Sequence, residues 1–201
     1  MDIGGLIVGL GNPGTEYSRT RHNLGFMVLE RLLQDREKAG VLQKLSGRKN
    51  LFALWKARFA DADGAAGDRL LCEPLTFMNA SGEAVRAVSS YYRILPERIL
   101  VVHDELDLPP GRMKMKKGGG SAGHKGVESI TQCLGTPDFF RLRIGIGKAP
   151  HNTLSFVLGR FSESEAELMD KCIAAATESV LMLTREGAAK AQQFCNSFSL
   201  Y

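Results

Sequence analysis

The chain has 201 residues, 44% of them hydrophobic and 24% charged. These proportions fit one globular domain, residues 1–201, or one domain plus a small appendage, with a sizeable core. Lys and Arg outnumber Asp and Glu by 26 to 22, a net charge of +4, too mild an excess to mark a nucleic-acid binder unless the cations cluster.

Met1-Asp2-Ile3-Gly4 carries neither a charged leader nor a long apolar stretch, and no run reaches the length of a membrane span. The expected compartment is the reducing cytoplasm. Cys72, Cys133, Cys172 and Cys195 lie far apart in apolar surroundings and form no C-x-x-C pair. That predicts four buried thiols rather than a zinc site or a disulfide framework.

In chain order, Leu6 to Leu10 predicts a buried strand, and Asn23 to about Ala39 a helix with Phe26, Leu29, Leu32 and Leu33 at helical spacing. Asn50 to Ala60, where Trp55 has a packing role, and Arg69 to Glu73 read as strands around a Gly/Ala/Asp-rich turn, Asp61 to Asp68. Ala80 to Tyr92 is a second helix. Arg98 to His103 is an apolar run that ends in acids. Pro109-Pro110-Gly111 turns the chain into Arg112 to Lys117, which alternates basic and apolar residues as an extended segment does. Glycine-rich Gly118 to Gly126 leads into a helix over Val127 to Leu134, and Phe140 to Gly147 is another strand. Residues 149–160, including His151 and Asn152, have the position of a lid. Residues 163–187 form a long amphipathic helix on the stripe Met169, Cys172, Ile173, Ala176, Val180 and Leu183.

Strands alternating with helices predict the α/β class: a three-layer sandwich with a twisted, mostly parallel (mixed) sheet between helices. Sites in such sheets gather beyond the strand carboxyl ends. Three informative segments follow strands: Gly9 to His22, Pro74 to Asn79 and His103 to Asp107.

The first of these, GLGNPGTEYSRTRHNLGF (Gly9 to Phe26), is the densest in polar groups. Its opening matches the G-x-G-x-x-G of dinucleotide sites. A pyrophosphate needs a helix that starts inside the motif, whereas Pro13-Gly14 favours a turn and a polar stretch follows. Gly118-Gly119-Gly120 lacks the G-K-[ST] of a P-loop.

His22, at the start of a helix, is the first candidate base. Asp104, at the end of another strand, is in position to orient it and to stabilise the imidazolium, although an acidic run such as His103-Asp104-Glu105-Leu106-Asp107 equally suits a solvated turn. Alternation points His103 to the opposite face. No G-x-S-x-G nucleophile appears, and Ser81 and Ser121 lack that context. A hydrolase built from these residues would use a water activated by His22, with the amides of Asn12 and Asn79 holding the substrate carbonyl. Either asparagine also suits a plain turn. Arg112, Lys114 and Lys116 share one face of their extended segment, His124 and Lys125 follow the glycines, and Arg141 and Arg143 add a second pair of cations. Such a face suits a phosphate backbone or a charge-protected edge strand.

These segments together resemble the bacterial-type peptidyl-tRNA hydrolase family. The resemblance rests on GLGNPGTEYSRTRHNLGF, PLTFMNASG (Pro74 to Gly82), VVHDELDLPPG (Val101 to Gly111), KKGGGSAGHKG (Lys116 to Gly126) and FRLRIGIG (Phe140 to Gly147), in the family's order. It implies a metal-free, cofactor-free esterase, a monomer, that cleaves the peptide from the 3′-terminal ribose of tRNA released by aborted translation. By position, it implies His22 as catalytic base, Asp104 as its supporting acid, and Asn12 as the residue that tells blocked from free aminoacyl-tRNA. It places Tyr17, Phe77 and Asn79 on the pocket for the tRNA end and the peptide, and Lys116 and Arg143 on the 5′-phosphate. Lys125 departs from the pattern, where the family usually has Asn. An ammonium donates but cannot accept, so the substitution is expected to retune substrate grip. The alternative is an RNA-binding or RNA-processing relative without hydrolase activity, against which the presence of His22, Asp104, Asn12 and Asn79 stands.

Overall fold

The computed structural model describes residues 3–48, 50–60, 66–149 and 151–201. Seven strands form one sheet: β1 (Ile3–Gly9), β2 (Leu42–Arg48), β3 (Phe52–Ala60), β4 (Ala66–Pro74), β5 (Ile99–Glu105), β6 (Met113–Lys117) and β7 (Phe140–Gly145). Their order is β2-β3-β4-β1-β5-β7-β6. The middle of the sheet, β4-β1-β5-β7, pairs in parallel, and both flanks pair antiparallel.

The central strands are apolar on both faces because both faces are covered. Ile7, Leu71, Leu100 and Val102 face one helical layer, made by α1 (Leu24–Lys38), α5 (Glu163–Glu186) and α6 (Ala188–Ser197). Leu6, Val8, Leu70, Cys72, Ile99 and Val101 face the other, made by α2 (Ser81–Tyr92) and α3 (Lys125–Leu134). A short helix, α4 (Thr153–Val157), packs beside a 3-10 turn at Arg21–Asn23. Helix α5 starts on a capping box: Ser162 accepts from the Glu165 backbone N–H, and the Glu165 carboxylate accepts from that of Ser162.

Edge strand β6 shows how packing sets the site. Met113 and Met115 are buried in the α1/α5/α6 layer, each burial worth about 1.5–3 kcal/mol. A one-residue slip would forfeit both, so the register is fixed and Lys114 and Lys116 are held on the opposite face.

The expected three-layer mixed sandwich is thus present. Three elements were not expected: β2, α4 and α6. The long helix ends at Glu186, within a residue of expectation. Residues 61–65 of the expected turn lie outside the described residues, and 66–68 belong to β4 rather than to a turn. Pro150 of the lid segment also lies outside them. Of the four expected buried thiols three are buried, while Cys133, on the side of α3 that meets α2, is half-buried. No described helix is long and apolar enough to cross a membrane.

Candidate active site

Two glycines bring the site together. A Cβ on Gly25 would stand 2.3 Å from the Val102 oxygen and 2.4 Å from the Leu10 nitrogen, and one on Gly9 would stand 2.4 Å from the Gly25 oxygen. The first turn of α1 can therefore lie directly on the ends of β1 and β5. The 3-10 turn before it delivers His22 to Asp104, the penultimate residue of β5.

His22 Nδ1 lies 2.9 Å from Asp104 Oδ1 and 3.2 Å from Oδ2. Since a carboxylate only accepts, Nδ1 carries the proton and Nε2 keeps a lone pair. Asp104 is 2% exposed. Burial alone would push its carboxyl up, but the two histidines that point ring N–H groups at it, His124 foremost, reverse this and hold it far below the usual carboxylate range.

His124 supplies the second donor, with Nε2 3.1 Å from the same Oδ1. Its Nδ1 accepts from the Gly126 and Val127 backbone N–H groups, capping α3. The expectation that His124 belongs to a phosphate-binding basic face is therefore corrected: the ring is buried, its Nδ1 lone pair belongs to the helix, and its Nε2 proton belongs to Asp104. The same bonds bear on metal binding. His22, Asp104 and His124 offer ligand atoms within 4.8 Å of one another, but Nε2 of His124 has no lone pair to give an ion unless the cap is broken. His103 does point to the opposite face from Asp104, as alternation predicts, yet it is not remote. Its ring packs edge-on against His124 at 4.7 Å, its Nδ1 donates to the Asp104 backbone oxygen, and burial foremost keeps its pKa well below the ordinary histidine value.

Asn12 is held on three sides. Its backbone N–H donates to Asn23 Oδ1, its backbone oxygen accepts from Asn23 Nδ2, and its side-chain oxygen accepts from the Met78 N–H at 2.7 Å. With that oxygen occupied, the amide presents its NH2 group. Phe77, next to Met78, is 60% exposed and meets Tyr17 edge-to-face at 6.3 Å. Asn79 is exposed, and among the described residues its side chain has no hydrogen bond. His22, Asp104 and His124 line a cavity of about 230 Å³ with Leu106, Lys125 and Leu154. Asn12 lines a neighbouring one of about 360 Å³ with Phe26, Trp55 and Glu73. His22 and Asp104 on one side and Asn12 on the other thus line two cavities rather than one enclosed pocket.

The basic residues divide. Arg141 is buried and donates to the carbonyls of Gly118, Gly119 and Gly120. It shapes the glycine segment and is not a free cation. Arg143 Nε donates to Glu105 Oε2 at 2.8 Å. Lys116 pairs across the ladder with Arg141, and a Cβ on Gly119 would stand 3.0 Å from its Nζ. Burial, then Arg141 and Arg143, lower its pKa against the opposing pull of Glu105, which pairs with Arg143. Lys125 Nζ pairs with Glu128 at 3.1 Å on an exposed turn of α3. His124 and Arg141 thus serve the cap of α3 and the glycine segment rather than an open cationic face.

A histidine hydrogen-bonded to a buried carboxylate, at the carboxyl edge of a mixed sheet, places the chain in the class of α/β proteins with a candidate acid–base site. The model for "Peptidyl-tRNA hydrolase" matches residues 6–200. The chain is 55% identical to the peptidyl-tRNA hydrolase of Nitratidesulfovibrio vulgaris (strain Miyazaki F) and 48% identical to that of Oleidesulfovibrio alaskensis, each over 98% of both chains. The crystal structure of peptidyl-tRNA hydrolase from Acinetobacter baumannii superposes with a TM-score of 0.86 at 36% identity, covering 99% of this chain and 98% of that one. The chain belongs to the peptidyl-tRNA hydrolase family.

Proposed function

We propose that this chain hydrolyses peptidyl-tRNA at the ester between the peptide carboxyl and the 3′-terminal ribose of the acceptor end. The observation that carries the mechanism is the His22–Asp104 contact, which leaves Nε2 of His22 as an unprotonated base at the cavity. Nε2 takes a proton from water, the water oxygen attacks the ester carbonyl, and Asp104 stabilises the imidazolium. The imidazolium returns the proton to the leaving ribose oxygen. The NH2 groups of Asn12 and Asn79 hold the carbonyl oxygen and the peptide backbone. Tyr17 and Phe77 offer an aromatic surface for the terminal base.

Lys116 and Arg143 hold the 5′-phosphate of the acceptor stem; the neighbouring cations that lower the pKa of Lys116 favour an anion there. Lys125 stands at the mouth of the His22 cavity and adds grip on substrate rather than chemistry. In this proposal the chain is a monomer acting in the cytoplasm, where tRNA is charged and used.

The test is hydrolysis of a blocked aminoacyl-tRNA beside its unblocked counterpart, with wild type and His22→Ala. Cleavage of the blocked form alone, lost in the variant while tRNA binding persists, is the expected result. Equal turnover by His22→Ala would refute the mechanism, and tRNA binding without cleavage by wild type would favour the RNA-binding reading.

A further inference from the structure

Arg21 stands one residue before the proposed base and is 9% exposed. Its side chain points away from His22, into the segment that walls the cavity. The bidentate pair with Glu165 is 2.9 and 2.8 Å long, from Nη2 to Oε1 and Oε2. Nη1 donates to the Arg160 oxygen at 2.9 Å and lies 3.5 Å from the Phe156 oxygen. The guanidinium carbon sits 4.4 Å from the Phe156 ring centroid and 5.2 Å from that of Phe161. The backbone joins in: Arg21 N donates to the Gly159 oxygen, and Thr20 bridges to Arg160.

One planar cation thus grips both the end of α4 and the start of α5. Glu165, its partner, is already fixed by the Ser162 capping box. The gripped segment matters because Thr153, Leu154 and Val157 of α4 line the His22 cavity, with Leu154 66% exposed beside it.

We infer that Arg21 is a positioning residue for substrate binding: anchored to Glu165 and stacked on Phe156, it holds the α4 wall at its set distance from His22. The inference rests on the proposed hydrolase reading. A lysine could keep the charge but neither the fork nor the stacked plane. With the anchor loosened, the wall would sample positions away from the cavity, and the chain would lose affinity for a substrate lying against Leu154. The proton of His22 is held from the other side by Asp104 and would be undisturbed.

The experiment compares Arg21→Lys, Glu165→Gln and the double variant with the full-length wild type. Each single change is expected to raise KM for peptidyl-tRNA about tenfold and leave kcat within about twofold. The pH profile of kcat should not move. The double variant should be no worse than the weaker single, because both cut one contact. Amide hydrogen exchange should quicken about tenfold or more across 153–160 and stay slow across Leu24–Lys38. Unchanged exchange at 153–160, a loss confined to kcat, or multiplying KM effects would overturn the inference. Should Arg21→Lys not fold, Glu165→Gln carries the same test from the far end of the contact. A wild type inert towards peptidyl-tRNA would refute the proposed function instead, and the exchange measurement would still judge the anchor.

Discussion

His22 and His124 share one acceptor: both ring N–H groups, at 2.9 and 3.1 Å, point at Oδ1 of Asp104. The carboxylate therefore fixes two tautomers at once. For His22 this leaves the reactive nitrogen free, and for His124 it leaves Nδ1 free to accept from α3.

Asp104→Asn is expected to lower kcat by about 10²–10⁴ with a small change in KM. The amide still accepts one N–H but presents a second donor to the other ring, so one imidazole must turn or change tautomer. Steady-state hydrolysis of peptidyl-tRNA reads the split. A kcat within threefold of wild type would show that Asp104 does not set the base.

His124→Asn separates capping from catalysis. The amide oxygen is a good N-cap acceptor, so His124→Asn should be about 1–2 kcal/mol more stable to urea than His124→Ala, which loses the cap as well. Both lose the bond to Asp104, so both should lose activity. An Asn variant that unfolds as readily as the Ala variant would argue against the cap.

Acid should weaken the fold through Asp104. Its folded pKa is depressed below the ordinary 3.8, so the unfolded chain binds the proton more readily. The resulting stabilisation is fully present above the unfolded value and is lost as pH falls below it. Urea unfolding between pH 5 and 3 should therefore decline more steeply for wild type than for Asp104→Asn, by up to about 1.4 kcal/mol per pH unit for one proton. Parallel curves would mean that the pair contributes no linkage.

Lys116→Ala should weaken peptidyl-tRNA binding at low salt and reduce the slope of log affinity against log salt by about one. A minimal ester lacking the tRNA body should be cleaved at the wild-type rate. Arg143→Ala should behave similarly but also free Glu105, which accepts from the Asp107 N–H, so its stability should be measured beside it. Equal losses on both substrates would place Lys116 in the reaction pocket.

What was legible in the sequence follows from what is local. The apolar runs of β1 and β5 announced buried strands, and a histidine and an aspartate just beyond or at their ends announced a site. The proline in Asn12-Pro13-Gly14 excluded a nucleotide loop without any structure. Edge strand β2 was missed because LQKLSGR, half in water, carries no clean alternation. Helix α6 was missed because Gly187 reads as an end, whereas Ala191 and Cys195 continue into the same layer. The role of His124 was hidden because N-caps are ordinarily Ser, Thr, Asp or Asn; a histidine can serve only when a partner such as Asp104 fixes its tautomer. The Arg21–Glu165 contact spans 144 positions, and no spacing rule reaches that far.

The double duty of His124 couples the start of α3 to the carboxylate beside His22. Its ring is at once a cap on the first turn of α3 and a hydrogen-bond donor to the carboxylate beside His22. If that turn frays, the donor leaves with it. Catalytic output should thus begin to fade at temperatures where the sheet and the other helices are still intact, and return on cooling.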